Sequence, residues 1–306
     1  MGIEVDVDKY ISDMYSSIVF YRKYFRFIKP SKIYVVCYYD RYSMAAFYAA
    51  KEMGIPVIEV QHGLINKVHF AYIANKLIEP NPYPDYLFCF SETFKNIVSS
   101  NIYKSESIFV TGRYYIDLIK MRKEKNYNLF LKKHGKFKDK IIITVADNNL
   151  VEIDNKLLDM IKTMASSRSD IMYIYKPRIM TENYLYFSHP NVTIEEDLDV
   201  YQCMQNSHIT TTVASTIAME SLVFGTPVIL LNINNLAKMY LSELFSPVNS
   251  VYYADTTEEY LSYIPEVLSI DRSKVAVEGT CFYADNHAER IKEAIETIND
   301  IASRKK

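Results

Sequence analysis

Glycine is scarce in this sequence, with seven in 306 residues, and none of the seven builds a GxGxxG turn, a Walker A loop or a GxSxG elbow. HExxH is missing as well. These absences argue against the dinucleotide oxidoreductases, P-loop NTPases, serine hydrolases and zinc peptidases that such motifs mark. Cysteine is also rare: Cys37, Cys89, Cys203 and Cys281 stand far apart, with no CxxC and no ligand-like spacing to histidine. They read as reduced core thiols rather than disulfides or a zinc site. No apolar run approaches the length of about 18 residues that a membrane span needs, and the first residues lack the basic-then-apolar order of a signal peptide. The expected location is therefore the cytoplasm. Formal net charge is only -2, so the chain as a whole carries no electrostatic signature for nucleic acid, and that partner is not expected.

What is present is the balance of a globular protein, 49% apolar and 24% charged, in a chain long enough for two domains that each bury a core. From Ile33 onward, short β-rich runs alternate with amphipathic stretches, the pattern of βαβ units around a parallel sheet. Strands are predicted at Ile33 to Cys37, Val57 to Val60, Tyr86 to Phe90 and Ile108 to Thr111. A second series follows at Ile141 to Val145, Met172 to Tyr175, Val192 to Ile194, Ile209 to Thr212 and Val228 to Leu231. Between the two series, Lys120 to Lys140 carries nine basic residues against Glu124 and Asp139. It reads as a solvated linker helix or, alternatively, a docking surface for an anionic membrane. The boundary is placed there, giving domains 1–122 and 123–306. Tyr21 to Phe27 mixes aromatics and cations in a similar way and could support interfacial binding.

With so few glycines, their neighbours are informative. Gln61-His62-Gly63 falls at the carboxyl end of a predicted strand, where ligands collect in open α/β sheets. His62 is placed there for acid-base work or, equally, for a loop hydrogen bond. Thr111-Gly112-Arg113 offers a backbone that can approach phosphate and a guanidinium that can grip it. Lys176-Pro177-Arg178 adds two cations at another strand end. The strongest local signal runs from Ala214 to Leu222. Ser215 is a natural N-cap, the helix start would favour an anion, Thr216 and Glu220 share a helix face, and Glu220 is the only charge between Ile209 and Ala237. A carboxylate in such surroundings needs a polar partner: ribose hydroxyls, a distant cation or water. Asp6-Val7-Asp8 and Asp197-Leu198-Asp199 have metal-ligand spacing, but helix capping accounts for them, so no metal is expected.

On these residues the chain resembles the GT-B glycosyltransferases of bacterial capsule and surface-polysaccharide assembly. The resemblance rests on Ala49 to Pro56 leading into Gln61-His62-Gly63, on Asp85 to Glu92, on Val110 to Arg113, on Tyr175-Lys176-Pro177, and on Ser215-Thr216 with Glu220, Gly225 and Pro227. It departs where relatives carry Lys-Pro-His-Pro, since Arg178 follows Lys176-Pro177 here. The first half is also short, with one helix and a strand from Ile3 to Val7 before Ile33.

The resemblance implies an α/β fold of two Rossmann-like domains whose parallel sheets face a cleft. It also implies a metal-independent, inverting transfer of a sugar from a nucleotide-sugar donor to a glycan or lipid-linked acceptor, with no separate cofactor. His62, with Asp40 as its substitute, would be the base on the acceptor wall. Gly112, Arg113, Lys176, Arg178, Ser215, Thr216 and Glu220 would hold the donor on the other, with peripheral contact at the inner membrane. A CDP-polyol phosphotransferase, a transferase of Kdo or sialic acid from a CMP donor, and a catalytically silent GT-B binding subunit are the alternatives.

Overall fold

A computed structural model of the chain describes residues 6–76 and 83–304. Two compact units divide it: residues up to Gly112 together with those from Asn286 onward, and Arg113–Asp285. In chain order the first stretch holds α1 (Val7–Ile28), β1 (Ile33–Val35), α2 (Arg41–Glu52), β2 (Val57–Val60), β3 (Tyr86–Cys89), α3 (Glu92–Ile97) and β4 (Ile108–Val110). The second unit begins with α4 (Tyr114–Met121), α5 (Lys123–His134), β5 (Ile141–Ala146), α6 (Val151–Ser167), β6 (Ile171–Lys176) and α7 (Glu182–Leu185). It continues through β7 (Val192–Ile194), α8 (Val200–Gln205), β8 (Ile209–Thr212), α9 (Ile217–Val223), β9 (Val228–Leu231) and α10 (Leu236–Leu241). It closes with β10 (Val251–Ala254), α11 (Thr257–Leu268) and α12 (Arg272–Gly279), after which α13 (His287–Arg304) returns to the first unit.

Among the described residues the named strands pair in parallel, in the orders β1-β2-β3-β4 and β10-β9-β8-β5-β6-β7. The expected fold class, two Rossmann-like parallel-sheet domains, is what the chain adopts. Side-chain alternation explains why the sheets are covered on both faces. In the first sheet Ile58 of β2 and Phe88 of β3 meet Ala294 and Ile298 of α13. In the second, Ile143 and Val145 of β5 join Leu157, Ile161 and Met164 of α6, while Ile142 on the other face joins Phe130 of α5 and Cys203 of α8.

Several sequence expectations change here. The units divide at Gly112 rather than at residue 122, and α13 belongs with the first unit rather than the second. The basic stretch from Lys120 is no linker: α4 and α5 are part of the second unit, and α5 buries Asn126, Phe130 and His134. Strand β10 falls outside both predicted series. Of the expected strand from Ile3, residues 3–5 lie outside the described residues, and Val7 opens α1, capped by Asp6 Oδ1 accepting from Lys9 N–H at 3.0 Å.

Candidate active site

In the first unit, the loops after β1 and β2 leave neighbouring strands at their carboxyl ends. Asp40 caps α2, its Oδ1 accepting from the N–H groups of Tyr42 (3.0 Å) and Ser43 (3.1 Å). Burial works against its charge, but the bonds from Ser43 and Tyr42 outweigh it and hold the carboxyl below its usual range. Gln61 staples the next loop: its Oε1 accepts from Phe90 N–H at 2.8 Å and its Nε2 donates to Gly63 O at 2.9 Å. Because Gln61 is buried and fixed on both sides, the exposed His62 projects from a held backbone.

A second histidine joins it. The Tyr39 ring lies 6.4 Å from the His62 ring and 5.7 Å from that of His69. His69 Nδ1 accepts from Ala71 N–H at 3.3 Å, which places the proton of the neutral ring on Nε2. Burial, then the nearby His62, lower its pKa and favour that neutral form. Beneath the loop, Glu59 is fully buried on β2 and accepts from Tyr72 (2.9 Å) and Tyr103 (2.6 Å). Sequence reasoning passed over both. The signals were a histidine seven residues after His62 and a lone acid inside the apolar run Val57 to Val60.

In the second unit the strand order reverses between β5 and β8, the switch point at which open α/β sheets bind ligands. Two loops flank it, and Asn148 ties them by accepting from Ala214 N–H at 2.9 Å. Its own Nδ2 is buried without a partner. The second loop enters α9 one residue later than expected: Thr216 is the N-cap and has no side-chain cap bond, while Ser215 Oγ accepts from Ile217 N–H at 3.4 Å. Glu220, on α9, is buried; its Oε1 accepts from the Arg113 guanidinium and from Tyr283 (3.3 Å), and its Oε2 has no partner. Burial opposes the charge of Arg113, but Glu220 outweighs it and raises the pKa. Behind α9, a side chain at Gly279 would collide with the backbone of Leu222 and Val223, so glycine there lets α12 close on the helix that carries Glu220.

The other expected donor ligands are differently engaged. Lys176 Nζ donates to the carbonyls of Glu195 (3.1 Å) and Glu196 (3.0 Å). Arg178 is exposed, its backbone N–H donating to both oxygens of Asp147. Gly112 takes φ +71°, the left-handed region that glycine suits. Asp199 caps α8 in a reciprocal pair with Gln202, and Asp197 meets Lys133. Among the described residues no group of three or more His, Cys, Asp or Glu is arranged to hold a metal.

A family model described as UDP-N-acetylglucosamine 2-epimerase matches residues 8–296. The chain belongs to this family. Among solved structures it is similar to a Staphylococcus aureus MnaA–UDP complex, with TM-score 0.66 and 18% identity over 94% of this chain and 79% of that one. It is similar also to the Neisseria meningitidis UDP-GlcNAc 2-epimerase bound to UDP-GlcNAc, with TM-score 0.65 and 19% identity over 94% and 82%. The wall teichoic acid polymerase TagF shares the fold at TM-score 0.54 and 16% identity, over 85% of this chain and 70% of TagF. No curated protein matches the chain.

Membership in the epimerase family overturns the glycosyltransferase expectation and its transferase and silent-subunit alternatives. The acceptor glycan and the capsule-assembly role fall with it. The error has a physical source: a shared fold carries several chemistries, and motifs that hold a nucleotide sugar do not say what is done to it. What stands is an enzyme family acting on nucleotide sugars. No helix among the described residues is long and apolar enough to cross a membrane.

Proposed function

We propose that the chain interconverts the C2 epimers of a UDP-activated N-acetylhexosamine, with the second unit holding the nucleotide. Among the buried atoms without a partner in that unit, the donor Asn148 Nδ2 beside the switch point and the acceptor Glu220 Oε2 on α9 carry this reading. Leaving such groups unsatisfied costs on the order of 1 to 3 kcal/mol each. A nucleoside diphosphate answers both at once, since its phosphate oxygens accept and its ribose hydroxyls donate. Arg113 then orients Glu220 instead of gripping phosphate, and Arg178 is the exposed cation at the strand ends. The related structures containing UDP or UDP-GlcNAc support the choice of nucleotide.

Inversion at C2 breaks a C–H bond that no neighbouring carbonyl acidifies. The diphosphate on C1 offers a route. Its departure with the C1–O electron pair lets a base take the C2 proton as a C1=C2 double bond forms. Returning the diphosphate to C1 and a proton to the opposite face of C2 gives the epimer. The route balances without an external oxidant, so the proposal includes no resident redox cofactor. Proton transfer is assigned to His62, with His69 beside it and Asp40 as its substitute in the first unit.

Incubation with UDP-N-acetylglucosamine in D2O, followed by proton NMR, tests the proposal. Appearance of the C2 epimer, with deuterium at C2 in both sugars, is expected. Unchanged substrate that keeps its C2 proton would sink it.

A further inference from the structure

We infer that α1 seats the chain on an anionic lipid bilayer. Of its 22 residues only Phe25 is buried. Phe20, Tyr24 and Phe27 stand four and then three residues apart, so they share one stripe of the helix. They are 59%, 46% and 83% exposed. The rings of Phe20 and Tyr24 are already stacked, 6.0 Å apart and within 7° of parallel. Lys23, Arg26 and Lys29 are exposed around this stripe, while Arg22 is engaged by Glu52 on α2. Rings that settle at the headgroup level, with cations reaching lipid phosphates, are the makings of an interfacial helix.

Charge chooses the occupant. No acidic residue occurs from Met14 to Lys29, although the whole chain carries a net charge of -2. The excess of cations is therefore local, and a negatively charged surface complements it. A second copy of the chain does so poorly. The acids on α1 are Asp8 and Asp13, and Asp13 already pairs with Arg41 at 2.9 Å, so an apposed copy of α1 would offer its cations Asp8 alone. The inference is independent of the reaction assigned above.

Co-sedimentation of the full chain with lipid vesicles tests it. Wild type is expected to partition onto phosphatidylcholine vesicles containing phosphatidylglycerol, to release as salt is raised, and to stay off pure phosphatidylcholine. Phe27→Ser, at an exposed position that leaves the fold intact, should weaken partitioning roughly tenfold, and Lys23→Glu with Arg26→Glu by at least about tenfold. Thermal melts matching wild type would show that the variants fold. Absence of binding to the anionic vesicles, or binding unaffected by phosphatidylglycerol, overturns the inference. So does a dimer, seen by analytical ultracentrifugation, that Phe27→Ser dissolves while vesicle binding is absent.

Discussion

Tyr103 donates its hydroxyl to Glu59 Oε2 at 2.6 Å at a point in the first unit where the carboxyl is fully buried. Burial raises the pKa of Glu59 to about 7, and the bonds from Tyr103 and Tyr72 offset it only in part. The unfolded carboxyl titrates near its ordinary value of 4.5. Between these two values the folded chain binds the proton that the unfolded chain has lost. Folding stability from this group is therefore full below about 4.5 and is lost as pH rises towards about 7, a change on the order of 3 kcal/mol. Glu59→Gln keeps an oxygen and an amide for the two tyrosines without the charge. It should gain on wild type as pH is raised through this window, which urea unfolding at several pH values would show. Parallel pH profiles for the two proteins would count against the argument.

Glu195 gives the opposite sign. It is buried, which opposes its charge, but His134 Nε2 at 2.6 Å, Lys133 at 2.7 Å and the backbone N–H groups of Asp197 and Leu198 prevail and hold its pKa down to about 2. Stability from this group is present above the unfolded value of 4.5 and lost as pH falls towards about 2. Glu195→Gln is expected to lower stability at neutral pH by about 3 kcal/mol and to flatten the acid limb. An acid limb as steep as in wild type would show that other carboxyls govern it.

Much of the fold was legible because a parallel sheet buried on both faces leaves continuous apolar runs. Val57 to Val60, Val192 to Ile194, Ile209 to Thr212 and Val228 to Leu231 form strands at the predicted bounds. Strand β10 escaped because Tyr252 and Tyr253 on the sheet's edge are only partly buried and weaken the apolar signal. The basic α5 misled for a different reason: one face carries Phe130 and His134 into the core while Lys123, Lys125 and Lys132 stand exposed. The site was legible as residue types at strand ends, but its pairings were not. Arg113 and Glu220 stand 107 residues apart, and no local period links them. Nor can spacing distinguish an enzyme that transfers a sugar from one that inverts a carbon within it.

Glu220→Gln should weaken UDP binding by about one to two decades, the usual effect of removing a charge-assisted hydrogen bond. The variant also deprives Arg113 of its carboxylate, so some loss of stability is expected alongside. Calorimetric titration with UDP on folded protein decides it. Affinity equal to wild type would leave Glu220 as the structural partner of Arg113.

For His62, replacement by alanine should leave UDP affinity nearly intact while epimerisation falls by about two to four decades, the contribution of a positioned acid-base group. Asp40→Asn separates charge from capping, since asparagine caps helices as well as aspartate does. Near-wild-type thermal stability with reduced turnover would then be a chemical effect. His62→Asn turning over like wild type would withdraw the proton-transfer role from His62.

The position of α13 sets an order of events during synthesis. Its Ala294 and Ile298 cover Ile58 and Phe88, yet the ribosome delivers it after the whole of Arg113–Asp285. The sheet of the first unit is therefore covered only after its neighbour has been made, and until then its apolar face waits while a contiguous unit can already fold. A premature stop after Asp285 would release a chain with one closed unit and one open sheet, a form suited to chaperone capture or aggregation.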